Sequence, residues 1–220
     1  RENMKRKFAL IMLCILTVAA LAGCQSKDPE YPALEDPQQP SNVKDATYSG
    51  FTGSYDADKW LFDSSLGLFA IYDKEVYEAG NPDGKCPNIN VVISQDYEGP
   101  LTSEDMDDLM AEIENMNVSG FSIEKNEMKT FSGQPVIYYE TKTQLTDDMI
   151  DIMIENGSIT ESDIDAVGGR DALMAMGETD QIGIYAIVDG KIVMVTGTYY
   201  DNSDDVMEAM KLLLKTGKVS

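Results

Sequence analysis

The chain contains no histidine among its 220 residues. That absence excludes Ser-His-Asp and Cys-His catalysis and any His-ligated zinc site. Cysteine is almost as scarce, with only Cys14, Cys24 and Cys86. Basic residues number 17 against 39 acidic ones, giving a net charge of −22. A field of that sign repels phosphate backbones and anionic headgroups, so nucleic acid is not an expected partner. No glycine-rich phosphate loop precedes a predicted helix. No apolar run reaches the ~20 residues of a membrane-spanning helix.

One shorter apolar run does stand out. Arg1, Lys5, Arg6 and Lys7 surround Met4, and an almost unbroken apolar stretch from Phe8 to Ala22 follows. Charge followed by a short apolar run is the pattern of an export signal. The run ends in Leu21, Ala22, Gly23 and Cys24. This sequence resembles a bacterial lipobox, and the resemblance implies lipidation of Cys24, which becomes the mature N-terminus. The expected address is extracytoplasmic: the outer face of the cell membrane, or the periplasmic side of an outer membrane. Residues 1–23 carry four basic side chains against one acidic, so the chain from Cys24 onward has a net charge of −25. Cys14 leaves with the signal and Cys24 carries lipid. Cys86 is then the lone thiol and no intrachain disulfide forms; a lone cysteine reads as a packed small hydrophobe.

Residues 24–50 are predicted to be the lipidated cysteine and a disordered tether. They hold Pro29, Pro32, Pro37 and Pro40 among Gln, Asp, Glu and Ser. Such a stretch has too few large apolar groups to offset its ordering entropy.

Residues 51–220 read as one α+β domain. Gln181–Val188 and Lys191–Tyr200 are β-rich runs joined by Asp189-Gly190, which suits a type I′ turn. A second hairpin is predicted from Phe121–Phe131 to Pro135–Lys142, turning at Ser132-Gly133. Trp60–Phe62, Leu68–Tyr72 and Ile89–Ser94 read as further strands. In Lys191–Tyr200, one face carries Ile192 and Met194 and the other Val193 and Val195, so both faces need cover. Two helices are available. Thr102 and Asp105 form a capping pair ahead of Met106, Leu109, Met110, Ile113 and Met116. Ser203 is placed to cap a helix striped with Val206, Met210, Leu213 and Leu214, which Gly217 ends. The predicted architecture is a mainly antiparallel sheet with helices on both faces, an α/β/α sandwich. Residues 145–180 interrupt it as an insertion of short helices over 146–156, 160–166 and 170–176.

The order of elements, with Asn88-Ile89-Asn90-Val91-Val92, Phe131-Ser132-Gly133-Gln134-Pro135 and Tyr138-Tyr139, resembles PsbP-like bacterial lipoproteins. That fold is shared with the photosystem extrinsic protein and the Ran-binding Mog protein. The resemblance covers roughly residues 54–220 and implies a binding or assembly module without catalysis. The acidic insertion departs from the minimal fold.

Candidate chemistry is sparse. Placing Gly157 at the sixth position of an EF-hand loop puts Ile152 and Ile154 where oxygen ligands belong, so no Ca²⁺ cage results. Acidic clusters at 105–108 and 201–205 lie at predicted helix starts, where carboxylates favour the dipole. No metal ligand set, cofactor or catalytic residue is assigned. Trp60, Tyr138, Tyr139, Tyr185, Tyr199 and Tyr200 are the candidate binding residues for a sugar, peptide or aromatic ligand. The leading expectation is a membrane-anchored, non-enzymatic module with an envelope protein or ligand as partner. The alternatives are a small-ligand or Ca²⁺-binding lipoprotein and a carboxylate-based envelope hydrolase.

Overall fold

The computed structural model describes residues 30–81, 84–115, 120–155 and 157–220. The signal segment, the lipobox residues Leu21, Ala22, Gly23 and Cys24, and Met116 lie outside these residues.

Seven strands make the main sheet: β3 (Trp60–Phe62), β4 (Phe69–Asp73), β5 (Asn88–Asp96), β6 (Phe121–Phe131), β7 (Gln134–Thr143), β8 (Thr179–Val188) and β9 (Lys191–Tyr199). Their order across the sheet is β3-β4-β5-β9-β8-β7-β6, with every pairing antiparallel. A small second sheet joins β1 (Val43–Tyr48), β2 (Phe51–Asp56) and β10 (Lys218–Val219). Turn chemistry fixes both long hairpins. Asp189 and Gly190 take φ of 50° and 75°, and Ser132 and Gly133 take 51° and 79°. These are the positive values a two-residue turn needs to match strand twist.

The helices are α1 (Lys74–Glu78), α2 (Ser103–Asn115), α3 (Asp147–Glu155), α4 (Glu161–Ala166), α5 (Arg170–Met176) and α6 (Asp204–Thr216). Helix α2 begins at the expected cap: Thr102 Oγ1 donates to Asp105 Oδ2 at 2.6 Å, and the Asp105 amide returns a bond to Thr102 Oγ1 at 3.3 Å. Ser203 occupies the N-cap position of α6 but its side chain makes no cap bond. Asn202 does that work, its Oδ1 accepting the Asp204 amide at 2.9 Å. Ser203 has φ −79° and ψ −15°, already helical, which keeps its hydroxyl away from the first-turn amides.

Two cores result, one on each side of the main sheet. Val193, Val195, Ile182 and Ile184 face α6 and the small sheet, and bury Val206, Met210 and Leu213. Ile192, Met194, Tyr185 and Tyr139 face α2, and bury Leu109, Met110 and Ile113. The two-sided apolar pattern of β9 is thus met by a layer on each face.

The tether is shorter than its composition suggests. Residues 43–48, predicted to be disordered, form β1 and pair with β2 from Val43↔Asp56 to Tyr48↔Phe51. Residues 30–42 run along the domain surface. Ala33 bridges Thr130 in parallel, and Leu34 packs on the core. Backbone pairing and a single leucine order a segment whose composition is polar. The insertion matches its expected helices: Thr160 and Asp163 form a reciprocal capping box on α4, and Ile150 and Ile164 are buried.

Candidate binding site

The six aromatic candidates separate by strand parity. Trp60 and Tyr138 belong to the core under α6, with Tyr199 packed against it. Tyr139 and Tyr185 belong to the core under α2, with ring centroids 5.7 Å apart. Tyr200 lies past the end of β9, under the Lys85 ammonium at 5.9 Å. The sheet therefore stands between the two groups, and they do not share one pocket.

On the α6 side, Tyr138 and Tyr199 mark a polar corner of the sheet. The register places Lys125 beside Glu140 and Glu127 beside Tyr138. Asp180 lies between Lys142 on one side and Tyr199 on the other. Glu127 bonds Lys125 and Lys129, each at 2.8 Å. Both ammonium groups also lie over the Tyr138 ring, at 5.3 and 5.1 Å. The Tyr138 hydroxyl donates to Glu140. Burial and that carboxylate push the phenol well above its ordinary range. Hydrogen bonds from Lys125 and Lys129 hold Glu127 below the usual carboxylate value. The corner presents a mixed-charge surface with Tyr199 half-buried at its edge, while the Tyr138 ring, 6 % exposed, lies beneath the two ammonium groups.

A cleft of about 410 Å³ opens elsewhere, in the seam between the two sheets. Phe51, Phe69, Val91 and Ile93 line it, with Tyr48, Leu68 and Lys191 also in its wall. Leu66, 70 % exposed, lies on the loop beside it. The volume falls in the range of small-ligand sites, and its walls are about evenly polar and apolar, with Ser49, Lys191 and Ser220 beside the apolar residues. Sequence reading missed this cleft. Its walls come from residues 48 to 220, brought together only by the packing of one sheet on the other.

Several carboxylates shift clearly, and each shifts downward. Bonds from Tyr77, Thr160 and Lys142 hold Asp63, Asp163 and Glu178 below the ordinary range. Burial is the largest single influence on Glu208 and would raise it, but the Lys211 and Gln38 hydrogen bonds and the charges of Lys211 and Lys59 together lower it. These groups stay ionised at neutral pH, the opposite of a general acid. One carboxylate of each acidic cluster is engaged in structure. Asp105 caps α2 and accepts the Tyr97 hydroxyl at 2.7 Å. Asp205 pairs with Lys59 at 2.5 Å. Among the described residues, no three acidic or cysteine side chains converge as a metal site.

Cys86 is buried, and desolvation first, then Asp73, raises its thiol from 9.0 to about 11. At pH 8 that shift lowers the thiolate fraction about 100-fold, and the thiolate is the reactive form. Maleimide labelling of Cys86 in the folded domain is therefore expected to run at least about 100-fold slower than in urea. Equal rates, followed by mass spectrometry, would place the thiol at the surface.

No family model matches the chain, and no curated protein matches it. Among solved structures, it is similar to the solution structure of cyanobacterial PsbP (CyanoP) from Synechocystis sp. PCC 6803. The identity is 10 %, over 91 % of this chain and 99 % of that one, with a TM-score of 0.44. It is also similar to the Saccharomyces cerevisiae Ran-binding protein Mog1p, at 8 % identity, over 81 % of this chain and 95 % of that one, with a TM-score of 0.45. These are the two fold types that the sequence resembles.

Proposed function

We propose that the protein is an extracytoplasmic binding or assembly module, held on a membrane through lipid on Cys24 and without catalytic activity. The sequence from Arg1 to Cys24 carries the address: basic residues, a short apolar run, then Leu21-Ala22-Gly23-Cys24. No helix among the described residues is long and apolar enough to cross a membrane. Acyl chains supply the attachment instead, at roughly 0.8 kcal/mol per buried CH₂. The corner around Tyr138, Glu140 and Tyr199 carries the binding half of this reading. Lys125 is exposed and Tyr199, Glu127 and Glu140 are half-buried around the buried Tyr138, and hydrogen bonds from Lys125 and Lys129 hold Glu127 below the usual carboxylate value.

Cys24→Ala is expected to leave the precursor unprocessed or release the protein from membranes, read by intact mass and membrane fractionation. Unchanged mass and fractionation would remove the anchor from the proposal. For the binding half, the full-length lipoprotein is crosslinked in its native membrane, with Glu140→Ala beside the native chain. A partner lost in the variant supports the corner as the contact surface. A turnover activity abolished by one carboxylate substitution would overturn the non-enzymatic reading.

The cleft between the sheets favours a second reading, in which the module holds a small amphipathic ligand. Envelope lipids and aromatic fragments that raise the thermal midpoint of the native chain would support it.

A further inference from the structure

Residues 30–42 act as a strap. The Leu34 amide donates to the Thr130 carbonyl at 2.8 Å, and the Thr130 amide donates to the Pro32 carbonyl at 2.9 Å. Tyr31 Oη and Ser103 Oγ share a hydrogen bond of 3.2 Å. Farther along, Asp36 pairs with Lys215 at 2.6 Å, and the Gln38 amide donates to Glu208 at 2.8 Å. The strap crosses the outer side of α6, and Lys211, in the middle of that helix, is only 6 % exposed. The first of these contacts, Tyr31 on Ser103 and Pro32 and Leu34 on Thr130, place the point where the chain joins the domain at the end of β6, beside the Ser132-Gly133 turn.

From Cys24 to Glu30 is six residues, which span at most about 20 Å when fully extended. That is short against the domain itself. Strand β6 runs from Phe121 to Phe131, and from Thr130 back to Phe121 is about 30 Å at ~3.3 Å per residue. The β8–β9 turn lies at the Thr130 end, because Ile137 pairs with Tyr185 while Val188 pairs with Lys191. The opposite end holds Thr143 and Thr179, which are paired and bracket the inserted helices α3–α5.

We infer that the strap sets the orientation of the anchored domain: the β6–β7 and β8–β9 turns face the bilayer, and the α3–α5 insertion is presented away from it. This rests on the lipid anchor proposed above. Charge leaves the geometry to decide: residues 145–180 carry ten acidic side chains against one basic, Arg170, and residues 96–108, beside the β8–β9 turn, carry six against none, so anionic headgroups repel both ends.

The test uses the lipidated full-length protein in phosphatidylglycerol–phosphatidylethanolamine vesicles carrying an acceptor dye on the headgroups. Donor dye is placed at Glu98→Cys, beside the β8–β9 turn, or at Glu155→Cys, at the end of α3. Cys86 is buried and stays unlabelled. Energy transfer is expected to be at least about twofold stronger from position 98, given the ~30 Å strand length between the two ends. Inserting about twenty Gly/Ser residues between Lys27 and Asp28 leaves the fold intact and is expected to erase the difference, because a flexible linker removes the constraint. Equal or reversed transfer in the native chain, with lipid on Cys24 confirmed by mass, would overturn the orientation alone. A difference that survives the linker would overturn the strap as its cause. A Cys24 without lipid would overturn the anchor and the orientation together.

Discussion

Gly183→Ala is expected to destabilise the domain by about 3 kcal/mol, because overpacking a filled core has few outlets. Gly183 lies in β8 directly opposite Tyr139 in β7. A Cβ built there would meet Tyr139 Cζ at 1.8 Å and its Cε1 at 2.1 Å. The phenol ring lies flat on the strip of β8 that has no side chain. It cannot easily swing clear: Tyr139 is 7 % exposed, and Tyr185 packs against it. Urea unfolding followed by circular dichroism reads the loss as a lower midpoint at unchanged slope. Tyr139→Leu should make the same glycine substitution milder, since a shorter side chain vacates the contact; that non-additivity is the specific signature of the pair. A neutral Gly183→Ala would mean that Tyr139 does not lie over β8.

Much of this architecture was written locally. The hairpins were legible because Asp189-Gly190 and Ser132-Gly133 demand positive φ, and both pairs adopt it. The two-layer cover was legible because β9 is apolar on both faces, a pattern that an open sheet does not tolerate. Two other features were not local. The strap from 30 to 42 holds to the domain through backbone bonds at Thr130 and pairs such as Asp36–Lys215, about which polar composition says nothing. The cleft between the sheets joins Tyr48 and Phe51 to Val91 and Ile93. Only tertiary packing brings those segments together. The split among the tyrosines was within reach: Tyr138 and Tyr139 are neighbours on a strand, and period-two geometry sends neighbours to opposite faces. Applied to β7, that rule sends Tyr138 to the core under α6 and Tyr139 to the core under α2.

The second large effect is expected at Phe51, which joins the two sheets. It is 1 % exposed and meets Phe69 edge to face, with ring centroids 5.2 Å apart at 85°. Added methyl groups at Gly53 and Gly217 would fall 2.8 and 3.1 Å from its ring, so the backbone of β2 and the end of α6 both close on it. The same ring lines the cleft. Phe51→Ala removes these contacts and leaves a cavity that neither sheet can collapse into, at a cost of about 4 kcal/mol. Phe51→Leu refills most of the volume and should cost about 1.5 kcal/mol or less. The loss should not be spread evenly. Strand β1 has one strand neighbour, and β10 is a two-residue strand paired only with β2. The small sheet thus depends on Phe51 far more than the β7–β9 ladder does. Native-state hydrogen exchange should show β1, β2 and β10 opening well before β8 in Phe51→Ala, a sub-global unfolding of the seam. Uniform loss of protection across both sheets would instead make the two sheets one cooperative unit. A loss below about 1 kcal/mol would mean that Phe51 is not the residue that binds them.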